Sequence, residues 1–442
     1  MSDGGVYLLR IPGGGVLYDP LLGLAAAVGD NICGGLEERG IEALPAGFDE
    51  SKEGLTKAPQ RRQGRFSPAF AGLVVTRACN LACRYCDFRG RGDGEARMST
   101  ATAWAAVEAM AESAARQGRQ RLEVHFFGGE PLLEIDLLRR VVERARAEAA
   151  SRGLTTWFEM TTNGVAGEKA IRWVGANVDR VVLSLDAMPE TTRELRVFPS
   201  GAGSSGRAFE TACRLDESDA ELVVRSCVDS DTVDRYPSAL AKILRCIAPR
   251  VVCLEPVHSG ASATCLQPPT AEQFCRRFAE ARAVCDEVGI DLVFSGADLT
   301  RKDLSPCGVA RDGCVVMPDG GLAACYLPPE SWFAGGLDLS FGEVSADRSF
   351  VIDLEKLELV RALGVPSIAA CRGCFCRWHC GGGCRVRHDS GGRDERWCRT
   401  VRSVATFQLL DACGVADVDL ELACKAAAPD AWQPIERGGG SA

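Results

Sequence analysis

The chain has 442 residues, 46% of them hydrophobic and 25% charged, a balance ordinary for globular proteins and a length sufficient for two or three domains. A net charge of -9 argues against recognition of a nucleic acid backbone, and no apolar run approaches the roughly 18 residues of a membrane helix. The start, MSDGGVYLLR, lacks the basic region and cleavage site of an export signal, so a cytoplasmic protein with no membrane or nucleic acid partner is expected, and its 22 cysteines suit metal ligands and buried thiols better than disulfides.

Residues 1–66 read as a small N-terminal module and linker. VYLLRIPGGGVLY forms a hairpin around a glycine turn, Leu21 to Leu36 is expected to be helical, and SKEGLTKAPQRRQGR links it to the rest. The module is either a leader-peptide binding element or a simple cap on the main domain. RRQGR at 61–65, the densest basic run, reads as a solvated linker.

Residues 67–300 repeat strand then helix. Apolar runs at 72–76, 122–127, 156–162, 180–186, 221–228 and 250–257 suit buried parallel strands. Between them, a helix capped by Ser99 runs to Gly118, another runs from Leu132 to Arg152, and others cover 166–175, 205–215 and 235–247. Six such units imply an α/β fold, a parallel sheet or partial (β/α)6 barrel, with the active site at the C-terminal strand ends. A helix at 270–288 and a strand from Asp291 to Phe294 close this region. Residues 301–400 are loop-rich, with Asp319-Gly320 a hairpin signal. Residues 401–442 hold a helix from Val401 to Cys413 and an ERGGGSA tail expected to be disordered.

Just behind Leu73-Val74-Val75, the stretch TRACNLACRYCD places Cys79, Cys83 and Cys86 in a C-x3-C-x2-C spacing. Three thiolates are one short of the four irons of a four-iron, four-sulfur cluster, which leaves one iron open. Structural zinc wants a fourth protein ligand, and no histidine lies nearby, so the spacing favours iron–sulfur over zinc. Gly128-Gly129-Glu130-Pro131 follows the strand LEVHFF; the glycines permit close backbone approach, and Glu130 accepts from an ammonium.

On these motifs, with Tyr85 as the aromatic before the third cysteine, the sequence resembles the radical SAM superfamily. The resemblance implies that Gly128, Gly129 and Glu130 contact the amino group of S-adenosylmethionine. It places Asn163 of Thr161-Thr162-Asn163-Gly164, and Ser184 and Asp186 of Ser184-Leu185-Asp186, near the ribose and carboxylate. Arg196 is expected to pair with the carboxylate, a task suited to a guanidinium fork, with Arg193 a rival and a surface salt bridge the plainer reading of both. Ala187 departs from the glycine the family often has there. Val257, in Glu255-Pro256-Val257, is expected to contact adenine, although the same residues also read as a plain strand end.

The C-terminal cysteines resemble the SPASM extension, which carries two auxiliary clusters. Transferred position by position, one takes Cys307, Cys314, Cys325 and Cys384, and the other Cys371, Cys374, Cys380 and Cys398. Two zinc sites, with His379 and His388 available, are the alternative for these eight thiolates. Cys376 stands inside the run but outside the pattern, and reads as a spare thiol. Cys33, Cys213, Cys227, Cys246, Cys253, Cys265, Cys275 and Cys285 read as small buried hydrophobes.

The resemblance implies three four-iron clusters, S-adenosylmethionine, a one-electron donor such as flavodoxin or ferredoxin, and a peptide or protein substrate. The implied reaction is reductive cleavage of S-adenosylmethionine to a 5'-deoxyadenosyl radical that abstracts hydrogen from a residue of a ribosomally made peptide, ending in a crosslink or oxidised residue. An anaerobic sulfatase maturase is the alternative, but that subclass has Asp directly after the hairpin cysteine, where this chain has Cys325-Tyr326; Tyr326 and Asp319 are the candidate proton acceptors. A non-catalytic iron–sulfur or zinc protein is the alternative of another class. It has no use for amino-acid-binding groups such as Glu130, Asn163, Ser184 and Arg196 at successive strand ends.

Overall fold

A computed structural model of the chain describes residues 5–53, 57–88, 96–186, 188, 194–258, 266–387, 394–415 and 420–435. Ala187, Arg193, Cys265, His388 and the 436–442 tail lie outside the described residues.

Strands β1 (Tyr7–Ile11) and β2 (Gly14–Asp19) form the expected hairpin. The helix expected from Leu21 is corrected: Leu24–Gly29 is strand β3, paired antiparallel with β2 from Gly14↔Gly29 to Asp19↔Leu24, and the helix occupies Asp30–Arg39. The Asp19 carboxylate accepts from Leu21 N at 2.8 Å and Leu22 N at 3.0 Å, and Gly23, at φ 74°, reverses the chain. Six residue pairings then outweigh the helix preference of an alanine-rich run. One face of this sheet buries Leu8, Leu17, Cys33 and Leu36 in a small core; the other sends Tyr7, Leu9, Val16 and Tyr18 into the main one.

The main sheet carries β4 (Ala71–Thr76), β5 (Arg121–Gly128), β6 (Thr155–Thr162), β7 (Arg180–Ser184), β8 (Glu221–Val228), β9 (Val251–Pro256) and β10 (Asp291–Val293) as consecutive parallel neighbours. The first six match the expected strands, and β10 adds a seventh. On the far side of β4 the sheet continues through β11 (Cys314–Val316), β12 (Gly321–Ala323), β13 (Ser340–Val344) and β14 (Phe350–Ile352). β11 runs parallel to β4 and then turns antiparallel into β12 across Asp319-Gly320. The sheet is open, ordered β10 to β4 and then β11 to β14.

The barrel strands are not buried alike on both faces. Leu122, Val124, Phe126, Phe158, Met160, Val181, Leu183, Val224, Val252 and Leu254 are wholly buried on the face covered by helices such as Thr100–Arg116 and Ile135–Ser151. The alternate positions, Glu123, His125, Phe127, Glu159, Arg180, Arg225, Cys227 and Cys253, keep some exposure on the opposite face. That two-residue alternation puts polar chemistry on one side of the sheet.

The C-terminal segment is more than a helix and tail. A helix spans Glu395–Ala412, a shorter one Leu420–Lys425, and β15 (Trp432–Pro434) pairs antiparallel with β1 through Leu9↔Trp432 and Tyr7↔Pro434. No helix among the described residues is long and apolar enough to cross a membrane.

Candidate cluster and cofactor site

The cysteine loop leaves the end of β4 and is seated by the Gly128-Gly129 pair at the end of β5. A Cβ on Gly128 or Gly129 would collide with the carbonyl oxygens of Thr76 and Ala78 respectively, so only glycine lets the two backbones meet. Gly129 N donates to Thr76 O and Glu130 N to Ala78 O, both at 2.9 Å. From the other side, Ala82 N donates to Val197 O at 2.7 Å and Arg84 N to Leu195 O at 2.8 Å.

Cys83 and Cys86 stand close enough to Cys79 to disfavour its ionisation, and Cys83 does the same to Cys86. Burial pushes Cys79 up to about 12 and Cys86 up to about 11, and raises Cys83 against the pull of Arg196. Leu81 N donates to Cys79 Sγ at 3.4 Å, and Asn163 Nδ2 at 3.7 Å. Thiols this deep stay protonated unless a cation stands among them, and the iron of a cluster supplies that charge, so the donor set fits the group.

Glu130 is wholly buried and heavily engaged. Its Oε1 accepts from Leu132 N at 3.0 Å and Thr162 Oγ1 at 2.7 Å, and its Oε2 accepts from Asn163 N at 2.7 Å. Burial raises its pKa, and those three donors oppose the rise. A carboxylate offers about four acceptor sites, so one remains for an ammonium. Asn163 Nδ2 also donates to Asn80 Oδ1 at 2.9 Å, and Asn80 Nδ2 to Val165 O at 2.7 Å. The ends of β5 and β6 are thus joined through side chains to the first cysteine.

The end of β7 makes a second link. Asp186 Oδ2 accepts from Tyr85 Oη at 2.9 Å and lies 3.1 Å from Arg196 Nε, while Oδ1 accepts from Cys227 N at 2.9 Å. The Arg196 guanidinium lies over the Tyr85 ring at 5.3 Å, with Nη1 4.0 Å from Cys83 Sγ. Arg196 therefore meets the cluster loop already partnered by Asp186, rather than waiting free for a carboxylate. Ser184 and Asp186 line a small cleft with Glu194 and Arg196. Val257 is buried past the end of β9, its N bonded to Val228 O at 2.9 Å.

Sequence reasoning missed Arg225. In register with Ser184 on one side and Cys253 on the other, it lies on the polar face, exposed to solvent yet beside Glu255 and Cys227, and its guanidinium has no hydrogen bond or ion pair among the described residues. The strand alternation about Val224 and Ser226 was the signal for it.

The C-terminal thiols fall into two nests. Cys380 has Cys374, Cys371 and Cys398 around it, and Cys376, wholly buried, joins that nest beside Cys374. Cys307 lies near both Cys325 and Cys384, whereas Cys314 is wholly buried at the start of β11, close to Tyr326. Among the described residues no three His, Cys, Asp or Glu side chains converge closely enough to share one metal ion. His379 is bonded to Tyr18 Oη and Arg301 O, both at 2.6 Å, which commits both ring nitrogens to the N-terminal sheet and a backbone carbonyl rather than to a metal. Arg387 pairs with Asp87, tying the second half of the chain to the cysteine loop.

Of the two candidate proton acceptors, only Tyr326 reaches the polar face. Its ring lies 4.5 Å from Phe127 and covers Gly72, where a Cβ would collide with it. Asp319 is exposed at the hairpin turn, where its carboxylate accepts from Gly321 N at 3.0 Å.

A half-open parallel α/β sheet whose strand ends converge on a three-thiol loop defines an enzyme that holds a cluster and an amino-acid-like cofactor together. Residues 73–210 match the radical SAM superfamily, and the chain carries a radical SAM domain; proteins of this superfamily use S-adenosylmethionine and a four-iron, four-sulfur cluster. The chain is 28% identical over 338 residues to the mycofactocin maturase MftC of Mycolicibacterium smegmatis, covering 74% of this chain and 80% of that one. It is 27% identical over 268 residues to the PqqA peptide cyclase of Xanthomonas campestris pv. campestris, covering 58% and 66%. Its fold is similar to that of anSMEcpe with bound AdoMet (TM-score 0.58, 18% identity, 78% of this chain and 99% of that one). It is also similar to Streptococcus suis SuiB bound to the precursor peptide SuiA (TM-score 0.52, 14% identity, 87% and 96%).

Proposed function

We propose that the chain is a radical SAM peptide maturase of the SPASM kind, which abstracts hydrogen from a residue of a ribosomally made peptide and leaves a crosslink or an oxidised residue. The observation that carries this reading is the side-chain path from Glu130 through Asn163 to Cys79, which couples groups suited to an amino acid to the cluster loop. The maturase and cyclase relatives, and solved structures of similar fold holding AdoMet or a peptide, support the peptide as substrate.

In this reading Cys79, Cys83 and Cys86 hold the first cluster, and Gly128, Gly129, Glu130, Asn163, Ser184, Asp186, Arg196 and Val257 surround S-adenosylmethionine. When bound, the cluster and cofactor supply a 5'-deoxyadenosyl radical. Glu130 presents its remaining acceptor site to the amino group. Arg196 neutralises Asp186 and faces Cys83, which favours the thiolate. Arg225, Glu255 and Tyr326 line the polar face where a peptide residue would be oriented. Cys307, Cys314, Cys325 and Cys384 would hold one auxiliary cluster, and Cys371, Cys374, Cys380 and Cys398 the other, with Cys376 left as a thiol. Four cysteines for each cluster would leave no open iron, a donor set suited to relaying an electron rather than to binding substrate. A small one-electron donor and a cytoplasmic setting complete the reading. Residues 1–66, 67–300, 301–400 and 401–442 serve as N-terminal module, radical SAM half-barrel, auxiliary-cluster domain and C-terminal segment, the last contributing a strand to the first.

Formylglycine formation is the less favoured reading, since the hairpin cysteine is followed by Tyr326 rather than Asp. The test is anaerobic incubation of the reconstituted enzyme, S-adenosylmethionine and dithionite with each small peptide encoded beside its gene. Loss of two hydrogens from one peptide, read by mass, supports the proposal; no mass change in any of them removes the peptide-maturase reading.

A further inference from the structure

Along the polar face of the half-barrel, arginines come with carboxylates. Arg121 Nη2 lies 2.8 Å from Glu123, Arg180 Nε 2.9 Å from Glu221 and its Nη1 3.5 Å from Glu159, and Arg196 Nε 3.1 Å from Asp186. Arg225, in the second half of β8, departs from that pattern: it is exposed and has no hydrogen bond or ion pair among the described residues. Its register partners are Ser184 on β7 and Cys253 on β9, and two residues further along Cys227 pairs with Glu255. Partners in register on a parallel sheet share a face, so Arg225 stands one strand spacing, about 4.8 Å, from Ser184. The carboxylates at the same strand ends do not claim it. Asp186 is taken by Tyr85, Arg196 and Cys227 N, and the buried Glu255 turns its Oε1 to Ser295 N at 3.2 Å. A guanidinium fork with its donors free suits a planar anion, which it holds through two parallel hydrogen bonds.

We propose, resting on the peptide-maturase reading, that Arg225 is a specificity-determining residue that binds a carboxylate of the substrate peptide: an aspartate, a glutamate or the C-terminus. An unmodified peptide carries no other group that is mainly anionic near neutral pH, since thiols titrate at about 8.5 and phenols at about 10. The chemistry of the peptide therefore narrows the partner of this cation to a carboxylate. Position narrows the rest. Arg225 is the neighbour of Ser184, which lines the cleft with Asp186 and Arg196. Side chains on one face of an extended peptide recur every second residue, so the residue presented to the cofactor groups either carries that carboxylate or lies within two positions of it.

The small peptides encoded beside the gene are incubated anaerobically with the reconstituted enzyme, S-adenosylmethionine and dithionite. In the one that is modified, each carboxylate is replaced in turn by its amide: Asp by Asn, Glu by Gln, and the C-terminus by a carboxamide. One replacement should raise KM at least about tenfold, the loss expected for a hydrogen bond to a charged group. Arg225→Gln should raise KM for the unaltered peptide by a similar factor and add nothing for that amide peptide. Arg225→Lys should restore part of the loss, and tandem mass spectrometry should place the modification within two residues of the carboxylate. Iron content and thermal midpoint check that the variants are folded, and the amide series tests the proposal on the unaltered enzyme. A peptide indifferent to every amide replacement, effects of enzyme and peptide changes that multiply, or weakened binding of S-adenosylmethionine by Arg225→Gln overturns this proposal alone. No mass change in any peptide removes the peptide-maturase reading and this proposal with it.

Discussion

Glu130 shows how a single carboxylate can organise a site before any cofactor arrives. With no exposed surface and three donors from Leu132, Thr162 and Asn163, it fixes the ends of β5 and β6 relative to each other. Glu130→Gln keeps the size but turns an NH2 group toward one of those donors. Hydrogen bonds to charged groups contribute about 1.5–3 kcal/mol each, so 5'-deoxyadenosine formation should fall at least about tenfold with iron content unchanged. Gly72 is a second such residue. In Gly72→Ala the new methyl meets the Tyr326 ring, and overpacking should cost about 1–3 kcal/mol in thermal unfolding, largely relieved in the Gly72→Ala, Tyr326→Leu double variant.

His125 sets a pH dependence at the same scale. It stacks on Phe70 at 4.1 Å between Glu159 and Glu123, and burial holds its pKa below the ordinary value in spite of those carboxylates. The folded chain then binds this proton less readily than the unfolded chain. Its contribution to stability is present above about pH 6.5 and is lost as the pH falls toward the depressed folded value. The urea midpoint should drop between pH 7 and pH 5, and less so in His125→Phe.

At the scale of elements, the parts visible in the sequence were those that local chemistry decides. The Cys79–Cys86 spacing, the Gly128-Gly129 turn and the hairpin at Asp319-Gly320 each depend on residues a few positions apart. What escaped depends on distant partners. LAAAVG reads as helix until β2 offers it a ladder, and Trp432 carries no strand signal until β1 pairs with it. The linking of Glu130 to Thr162, of Asp186 to Tyr85, and of Tyr326 to Gly72 likewise required strands to be set side by side. Trp432 tests this level. It is buried against Phe375 at 4.5 Å, and its Nε1 donates to Thr406 Oγ1 at 3.0 Å. Trp432→Ala should cost about 3–5 kcal/mol, read as a lower thermal midpoint, with the N-terminal sheet losing protection from hydrogen exchange first.

Across the whole molecule, the three-thiol loop, the two thiol nests and the polar face of the half-barrel lie in one continuous architecture. β11 joins the loop-rich segment after residue 300 to β4, immediately before the cysteine loop, and Arg387 reaches back to Asp87. β15 closes the chain onto its own beginning. In the proposed reading the cluster thiols, the cofactor-facing groups and the side chains of the polar face therefore work as one assembly, and one measurement tests this directly. The anaerobically reconstituted chain should contain about twelve irons and form 5'-deoxyadenosine from S-adenosylmethionine and dithionite, and the Cys79, Cys83, Cys86 triple alanine variant should retain about eight irons and form none. Zinc in place of iron, or cleavage that survives loss of those three thiols, would contradict it.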